Sequence, residues 1–337
     1  SLHRVGHWLN SNIFKAIKRL PFYGLFSTMN GVNTSTFNNK KTVQIFNRFA
    51  TYNGSDPYKS PGMFNIIAHL ELNVGPFMPK GGMVAISDAV YKKAVEMGVD
   101  FHFNTRVEEI MHEKGCVTGI KHKRGILNCD LVTSNMDVHF TYEKLLPAFT
   151  GPSKVLSQEK STSAIVFYWG IKKSFDALDV HNIFFSETYE DEFNQLFVKK
   201  TLIDDPTVYI HISSKVEKED APLGCENWFV MINAPVDDGQ DWEVQKKRVR
   251  ASILKKLGRI LNQDIEPLIE EEENLDPVMM QRMYSGKNGS IYGNASNSTM
   301  ASFYRHPNFS SSLKGLYFAG VTVHPGGGIP LALNSAA

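Results

Sequence analysis

The segment LYFAGVTVHPGGGIP at residues 316–330 limits the architecture of this chain more than any other. An apolar run ending at Gly320 reads as a buried strand, and a helix starting near Ile329 leaves HPGGG as the connection between them. In an α/β sheet such a loop turns the free N–H groups of the helix's first turn toward whatever lies beyond the strand end. Three residues without a Cβ let a flat or bulky ligand touch the main chain, and the flanking prolines restrict the loop's backbone. A tight strand-to-helix turn also uses glycine for its own geometry, so the loop gains weight only from a second organised segment.

That segment begins at PKGGM, residues 79–83. It leads into AISDAVYKKAVEMG, in which Val84, Val90, Ala94, Val95 and Met97 form an apolar helical face and Gly98 stands where a C-cap glycine belongs. VDFHF (99–103) then predicts a strand, followed by strands over 106–113, 116–122 and 125–135 with turns at Lys114-Gly115 and Arg124-Gly125. A helix joined so closely to a strand predicts a parallel sheet, and the strands after it predict a small antiparallel meander inserted in that sheet.

Elsewhere the pattern predicts strands at 161–173, 207–213 and 227–235, a long amphipathic helix over 241–261, strand again at 277–286, and a solvated loop or helix face at the acidic run 270–273. Residues 7–29 carry Trp8, Leu9, Ile13, Phe14, Ile17 and Leu20 at helical spacing opposite Lys15, Lys18 and Arg19, which predicts a helix broken at Pro21.

Charge and cysteine content narrow the function classes. With 36 basic against 35 acidic side chains and no Lys/Arg block, nothing here would draw nucleic acid. Cys116, Cys129 and Cys225 are odd in number and scattered, which fits neither a disulfide framework nor a metal site with paired ligand spacing, so a reducing compartment and no metal are expected. No apolar run approaches the roughly 20 residues of a membrane-spanning helix. The opening SLHRVGHWLN lacks the features of a signal peptide, so a cytoplasmic location is expected.

The residues KGLYFAGVTVHPGGGIPLALNSAA resemble the C-terminal flavin signature of the bacterial-type phytoene desaturase family, within the FAD-dependent amine oxidase superfamily. PKGGM, VDFHFNTRVEEI and DLVTSNMDVHFTYEKLLP match that family's central block in order and spacing, and FNRFATYNGSDPYKSPGMFNIIAHLE resembles the segment upstream. GSIYG and FYRHPN match weaker motifs, so the resemblance covers essentially the whole chain. Two departures stand out: Val321, Thr322 and Val323 replace smaller residues usual before His-Pro, and His306-Pro307 reverses the usual order. The family's N-terminal GxGxxG, which cradles the FAD pyrophosphate, does not occur in these 337 residues. The expectation is therefore an incomplete family member that by itself holds FAD weakly or not at all and does not turn over.

The resemblance implies an α/β fold: an incomplete FAD-binding, Rossmann-like domain of the amine oxidase or GDP-dissociation-inhibitor type, with a mixed-sheet and helical substrate domain. Its segments are expected at 1–78 (helical, membrane and substrate contact), 79–138 (flavin), 139–312 (substrate) and 313–337 (flavin). It implies that Val107 meets the adenine with its backbone, that Gly81 and Gly82 lie near the flavin ring, and that Gly320, His324, Gly327, Gly328 and Ile329 approach the ribityl chain and the pyrimidine side. His324, His306 and Arg305 are the polar candidates for a base; no catalytic residue is assigned.

The activity implied is desaturation of a carotenoid or related isoprenoid polyene, with hydride passing to FAD and a proton leaving. Such a substrate offers few groups to hydrogen-bond, which agrees with aromatic-rich strands at 163–171, 183–185 and 227–232. A bilayer-dissolved substrate also makes the helix from Trp8 to Phe26 a candidate for peripheral contact with the inner face of the membrane. The alternatives are a non-catalytic prenyl-binding protein on the same scaffold and an amine oxidase-like flavoenzyme.

Overall fold

The computed structural model describes residues 24–336. The basic helix expected over 7–29 therefore lies outside the described residues apart from its last positions, where 24–26 form a turn. The elements used below are helices α1 (Met29–Thr36), α2 (Lys40–Asn47), α3 (Val84–Glu96), α4 (Trp242–Leu261), α5 (Pro277–Tyr284) and α6 (Ile329–Asn334). The strands are β1 (Val107–Glu113), β2 (Cys116–His122), β3 (Gly125–Asn128), β4 (Val132–Ser134), β5 (Ser163–Ile171), β6 (His181–Phe184), β7 (Val208–His211), β8 (Glu226–Ala234), β9 (Ile269–Leu275) and β10 (Leu316–Phe318).

Two compact units emerge. The first gathers the described residues up to Val74, then Thr105–Thr162 and everything from Tyr284 on; the second takes Gly75–Asn104 and Ser163–Met283.

In the first unit β1, β2 and β3 form the expected antiparallel meander. Lys114 and Gly115 both take positive φ, 48° and 76°, the conformation that lets a two-residue turn follow the twist of its strands. The stretch 125–135 is not one strand: β3 closes the meander, and β4 leaves it to run parallel to β10, with Leu316 opposite Val132 and Phe318 opposite Ser134. A parallel element with an antiparallel insertion is the α/β arrangement expected. Beneath it Ile110, Val117, Tyr142, Leu316, Phe318 and Val323 form the core. A second, smaller core of Met29, Phe49, Ala50 and Ala68 packs with Phe46, Phe64 and Ile67.

The second unit is a five-stranded antiparallel sheet in the order β6-β7-β8-β5-β9. In β8 every second residue from Glu226 to Ala234 is buried, the period-two signature of a strand with one face on a core. Trp169, Trp228, Phe167 and Val230 meet Val249, Ile253 and Leu257 of α4 in that core. The helix starts where its sequence says it should, with the Asp241 side chain accepting from Val244 N–H at 3.1 Å.

Four expectations are corrected. The acidic run 270–273 is part of β9, an edge strand on which Glu270, Glu271 and Glu273 are exposed and the half-buried Glu272 pairs with Arg250 at 2.8 Å; charge on an edge strand blocks further pairing. Residues 277–284 are the helix α5 rather than strand: Asp276 Oδ1 accepts from Met279 N–H at 2.9 Å, and Pro277 occupies the first turn, where its missing N–H costs nothing. Residues 99–103 form no strand, because among the described residues no neighbouring backbone completes a ladder with them. The helix over 84–97 exists as α3, yet none of its residues is buried, and Val84, Val90 and Met97 are exposed.

Candidate functional site

The site grows out of the end of β10. Ala319 N–H donates to Ser134 O at 3.1 Å, which holds the strand end against β4. Gly320 follows at φ +120°, and a Cβ there would sit 2.8 Å from Asn135 Nδ2; without one, Asn135 donates to Ala319 O at 3.0 Å and Gly320 N–H donates to Ser335 Oγ at 2.7 Å. The loop that follows is tied down on both sides. His324 N–H donates to His306 O at 2.9 Å, and Asn308 Nδ2 donates to His324 O at 2.8 Å and to Ser335 O at 2.9 Å, linking the loop to the end of α6.

The three glycines differ. A Cβ on Gly326 would lie 3.0 Å from Arg305 Nε, and one on Gly327 would lie 2.5 Å from Tyr292 Cδ1. Those two are glycine because the protein's own side chains press on the backbone. Gly328, the N-cap of α6 at φ +103°, meets nothing within 4 Å. Here alone the bare main chain faces open space.

Beside the loop lies a cavity of about 190 Å³. Met63, Phe64, Pro325 and Leu331 give it apolar walls, and Asn53, Ser296, Arg305 and His324 give it polar ones. This is below the roughly 300 Å³ of ordinary small-molecule pockets, so it suits one end of a ring system. The open cradle at Gly328, the apolar walls and the few converging polar groups fit the edge of a flavin.

The three polar candidates separate clearly. His306 is only 2% exposed; its Nδ1 lies 2.7 Å from Pro307 O and so carries the proton, leaving Nε2 to accept from Tyr142 OH at 3.1 Å. Both nitrogens are spent on core contacts, and His306 is no base. Arg305 is a donor only: Nη1 donates to Tyr292 O and Val321 O at 3.0 Å each, and Nη2 to Asn294 O at 2.9 Å. Burial pushes its pKa down to about 10, which leaves it cationic at neutral pH. His324 lines the cavity, half-buried.

The other expected positions fall as follows. Val107 opens β1 in the same unit as the loop, half-buried and opposite His122. Ile329 is the first residue of α6 and is exposed. Gly81 and Gly82 belong to the other unit, in a turn where Gly82 N–H donates to Pro79 O at 3.0 Å; both take positive φ, and a Cβ on Gly81 would lie 3.7 Å from Ala85 Cβ while one on Gly82 would meet nothing within 4 Å. Sequence reasoning missed Asn53, Tyr292, Asn135 and Asn308. Each of them lies in a segment that carries the family resemblance, Asn53 in FNRFATYNG, Asn135 in DLVTSN, Tyr292 in GSIYG and Asn308 in FYRHPN, but nothing local singles out the side chain.

The family model described as flavin containing amine oxidoreductase matches residues 33–337. A 1-hydroxycarotenoid 3,4-desaturase of a Flavobacterium species is 48% identical over 336 residues, covering 100% of this chain and 69% of the relative. A 4,4'-diapolycopene oxygenase of a Methylomonas species is 32% identical, over 98% of this chain and 67% of its own length. Among solved structures, an oxidoreductase from Methanosarcina mazei shares the fold, with a TM-score of 0.61 at 16% identity over 92% of this chain and 67% of its own.

Proposed function

Because the chain belongs to the flavin-containing amine oxidoreductase family, and within it to the carotenoid desaturases, we propose that it serves the FAD-dependent dehydrogenation of a carotenoid or related isoprenoid polyene. The observation that carries this reading is the 48% identity with a hydroxycarotenoid desaturase along the entire chain. A hydroxylated carotenoid is accordingly the first substrate to test.

When bound, the flavin supplies a hydride acceptor for a saturated C–C unit. The chain's own residues prepare its place. Asn308, Asn135 and Ser335 hold the loop 319–324 rigid, so the backbone at Gly328 is presented without a side chain and without reorganisation. Met63, Phe64 and Leu331 give the adjoining cavity apolar walls. On this reading 79–138 and 313–337 are flavin segments and 139–312 the substrate segment, with Val107, Gly320, His324, Gly327, Gly328 and Ile329 at the cofactor.

Among the described residues no helix is long and apolar enough to cross a membrane. We place the protein peripherally at a membrane, through the basic amphipathic pattern around Ile13 and Phe14. Liposome flotation of the protein and of its Ile13→Glu/Phe14→Glu variant checks this: the variant is expected to stay in solution, and equal flotation rules that helix out.

The activity is tested by expressing the complete gene in cells that accumulate different carotenoid precursors and analysing the pigments. A product two hydrogens lighter from a hydroxylated precursor is expected. An unchanged pigment profile with every precursor, together with a purified protein that is colourless and takes up no FAD, favours the non-catalytic prenyl-binding scaffold instead.

A further inference from the structure

Between Lys59 and Lys80 the chain carries no Lys, Arg or Asp and a single Glu. Its middle is a helical run, Ile66–His69 continuing as a π turn over Leu70–Val74. One side of the run is accounted for: Ala68 is buried, and Ile67 and Phe64 pack on the core of Met29, Phe49 and Ala50. The other side is unlike a water-facing one. A surface helix sets charged and polar side chains opposite its apolar stripe, yet here Ile66, Leu70, Leu72 and Val74 are 58%, 51%, 66% and 60% exposed. The one carboxylate, Glu71, is spent on Tyr52, whose hydroxyl donates to it at 2.5 Å.

Two further observations say what such a face is for. The first is charge. Residues 24–74 hold Lys40, Lys41, Arg48 and Lys59 against only Asp56 and Glu71. Both acids are engaged, Glu71 by Tyr52 and the buried Asp56 by Lys59 at 3.7 Å, while Lys40 and Lys41 stand exposed at the start of α2, a helix that shares the same small core through Phe46. The outward charge is cationic, which complements an anionic lipid surface. A second copy docked on the same face would bring like charges together.

The second is the point at which the chain from 1–23 arrives. Gly24 packs against the residues that lead into the run: a Cβ on it would lie 3.3 Å from Gly62 Cα, and Gly62 N–H donates to Ser27 O at 2.7 Å. The basic amphipathic pattern that begins at His7 therefore joins the described structure beside this face, and Phe26, just inside it, is exposed as well. Resting on the peripheral placement proposed above, we infer that Ile66, Leu70, Leu72 and Val74 form a second membrane-contact surface, which enters the headgroup boundary of an anionic bilayer with Lys40 and Lys41 on lipid phosphates. Interfacial helices bind through these two terms together, buried apolar area and attraction to anionic lipid.

The test is flotation of the complete gene product with vesicles of phosphatidylglycerol and phosphatidylcholine in equal parts, and with vesicles of phosphatidylcholine alone. Ile66→Gln/Leu70→Gln is expected to lower partitioning to the anionic vesicles about tenfold or more, because two half-exposed aliphatic side chains lose their burial. Ile66→Phe/Leu70→Phe is expected to partition at least as well as the parent. Lys40→Gln/Lys41→Gln is expected to lose about tenfold or more on anionic vesicles and to leave the weaker binding to neutral ones unchanged. A lower Tm for Ile66→Gln/Leu70→Gln in vesicle-free buffer would show that another part of the protein covers the face, and overturns the inference. So does a parent that is a dimer in that buffer and becomes a monomer in the same variant. A parent that floats, with Ile66→Gln/Leu70→Gln floating equally well, removes this face and leaves the contact through Ile13 and Phe14 standing. A parent that stays in solution with both vesicle types overturns the peripheral placement and this inference together.

Discussion

Within the five-stranded unit, buried charges meet opposite charges. Glu226 lies 2.6 Å from Lys215 and also accepts from Trp228 Nε1 and Phe175 N–H, and Lys256, buried on α4, lies 2.9 Å from Asp205. The unit that carries the glycine loop treats Arg305 differently: among the described residues it is given carbonyls and no carboxylate. The contrast concerns charged groups alone, since orphaned buried atoms occur in both units, Trp169 Nε1 and Ser163 Oγ of β5 among them.

Substitutions can break or sharpen this contrast. The largest effect is expected from Trp228→Ala, which opens a cavity in the sheet core and strips a donor from Glu226; a loss of about 3–5 kcal/mol by denaturant unfolding is expected. Burial alone would raise the Glu226 pKa, and its bonds to Lys215, Phe175, Trp228 and Ser174 instead hold it below the usual glutamate range. Glu226→Ala is therefore expected to cost about 3 kcal/mol by stranding Lys215 and the Trp228 N–H; a loss below about 1 kcal/mol would mean the pair does not matter to the sheet.

In the loop unit, adjacent glycines should behave differently. Gly327→Ala collides with Tyr292 and should lower stability by about 1–3 kcal/mol whether or not flavin is present. Gly328→Ala meets no atom, so its folding cost is confined to the strain of φ +103°, about 1 kcal/mol, while flavin uptake falls. Unimpaired flavin binding by the second variant would show that the open backbone is not a cofactor surface.

The smallest expected effect lies at Glu192, where the sheet unit's pairing falls short. Burial raises its pKa from 4.5 to about 7 despite two bonds from Thr207 and the nearby Lys256 charge. An acid that binds its proton more tightly when folded contributes stability that is complete below pH 4.5 and is lost as pH rises toward about 7. Unfolding free energy measured across that window should decline in the parent protein, and Glu192→Gln should flatten the decline. An identical slope in both would show that another group titrates.

The contrast also explains what could be read in advance. The hairpin at Lys114-Gly115, β8 and α4 were legible because each is specified by residues a few positions apart: a turn pair, an alternation, a cap. The run EEEE misled because charge reports exposure, and an edge strand is exposed too. PVMMQRMYSG misled because its apolar content outweighed the Asp-Pro start signal just before it. Residues 99–103 have a strand's composition, but a ladder needs a second backbone, which no local pattern supplies. At the site, HPGGG announced a close approach without saying of what; that Tyr292 and Arg305 fill two of the three glycines depends on contacts across up to 35 positions of chain, 292 to 327.

The amino-acid sequence alone determined the α/β class, the loop before α6 and the family, because periodicity, turn chemistry and motif are properties of neighbouring residues. Tertiary structure decided that His306 is a core link, that Arg305 is a buried cation with no carboxylate partner among the described residues, and that of the three loop glycines only Gly328 has open space beside its main chain. Burial, hydrogen-bond partnership and free space depend on which distant atoms arrive at a side chain, and only the folded chain brings them there.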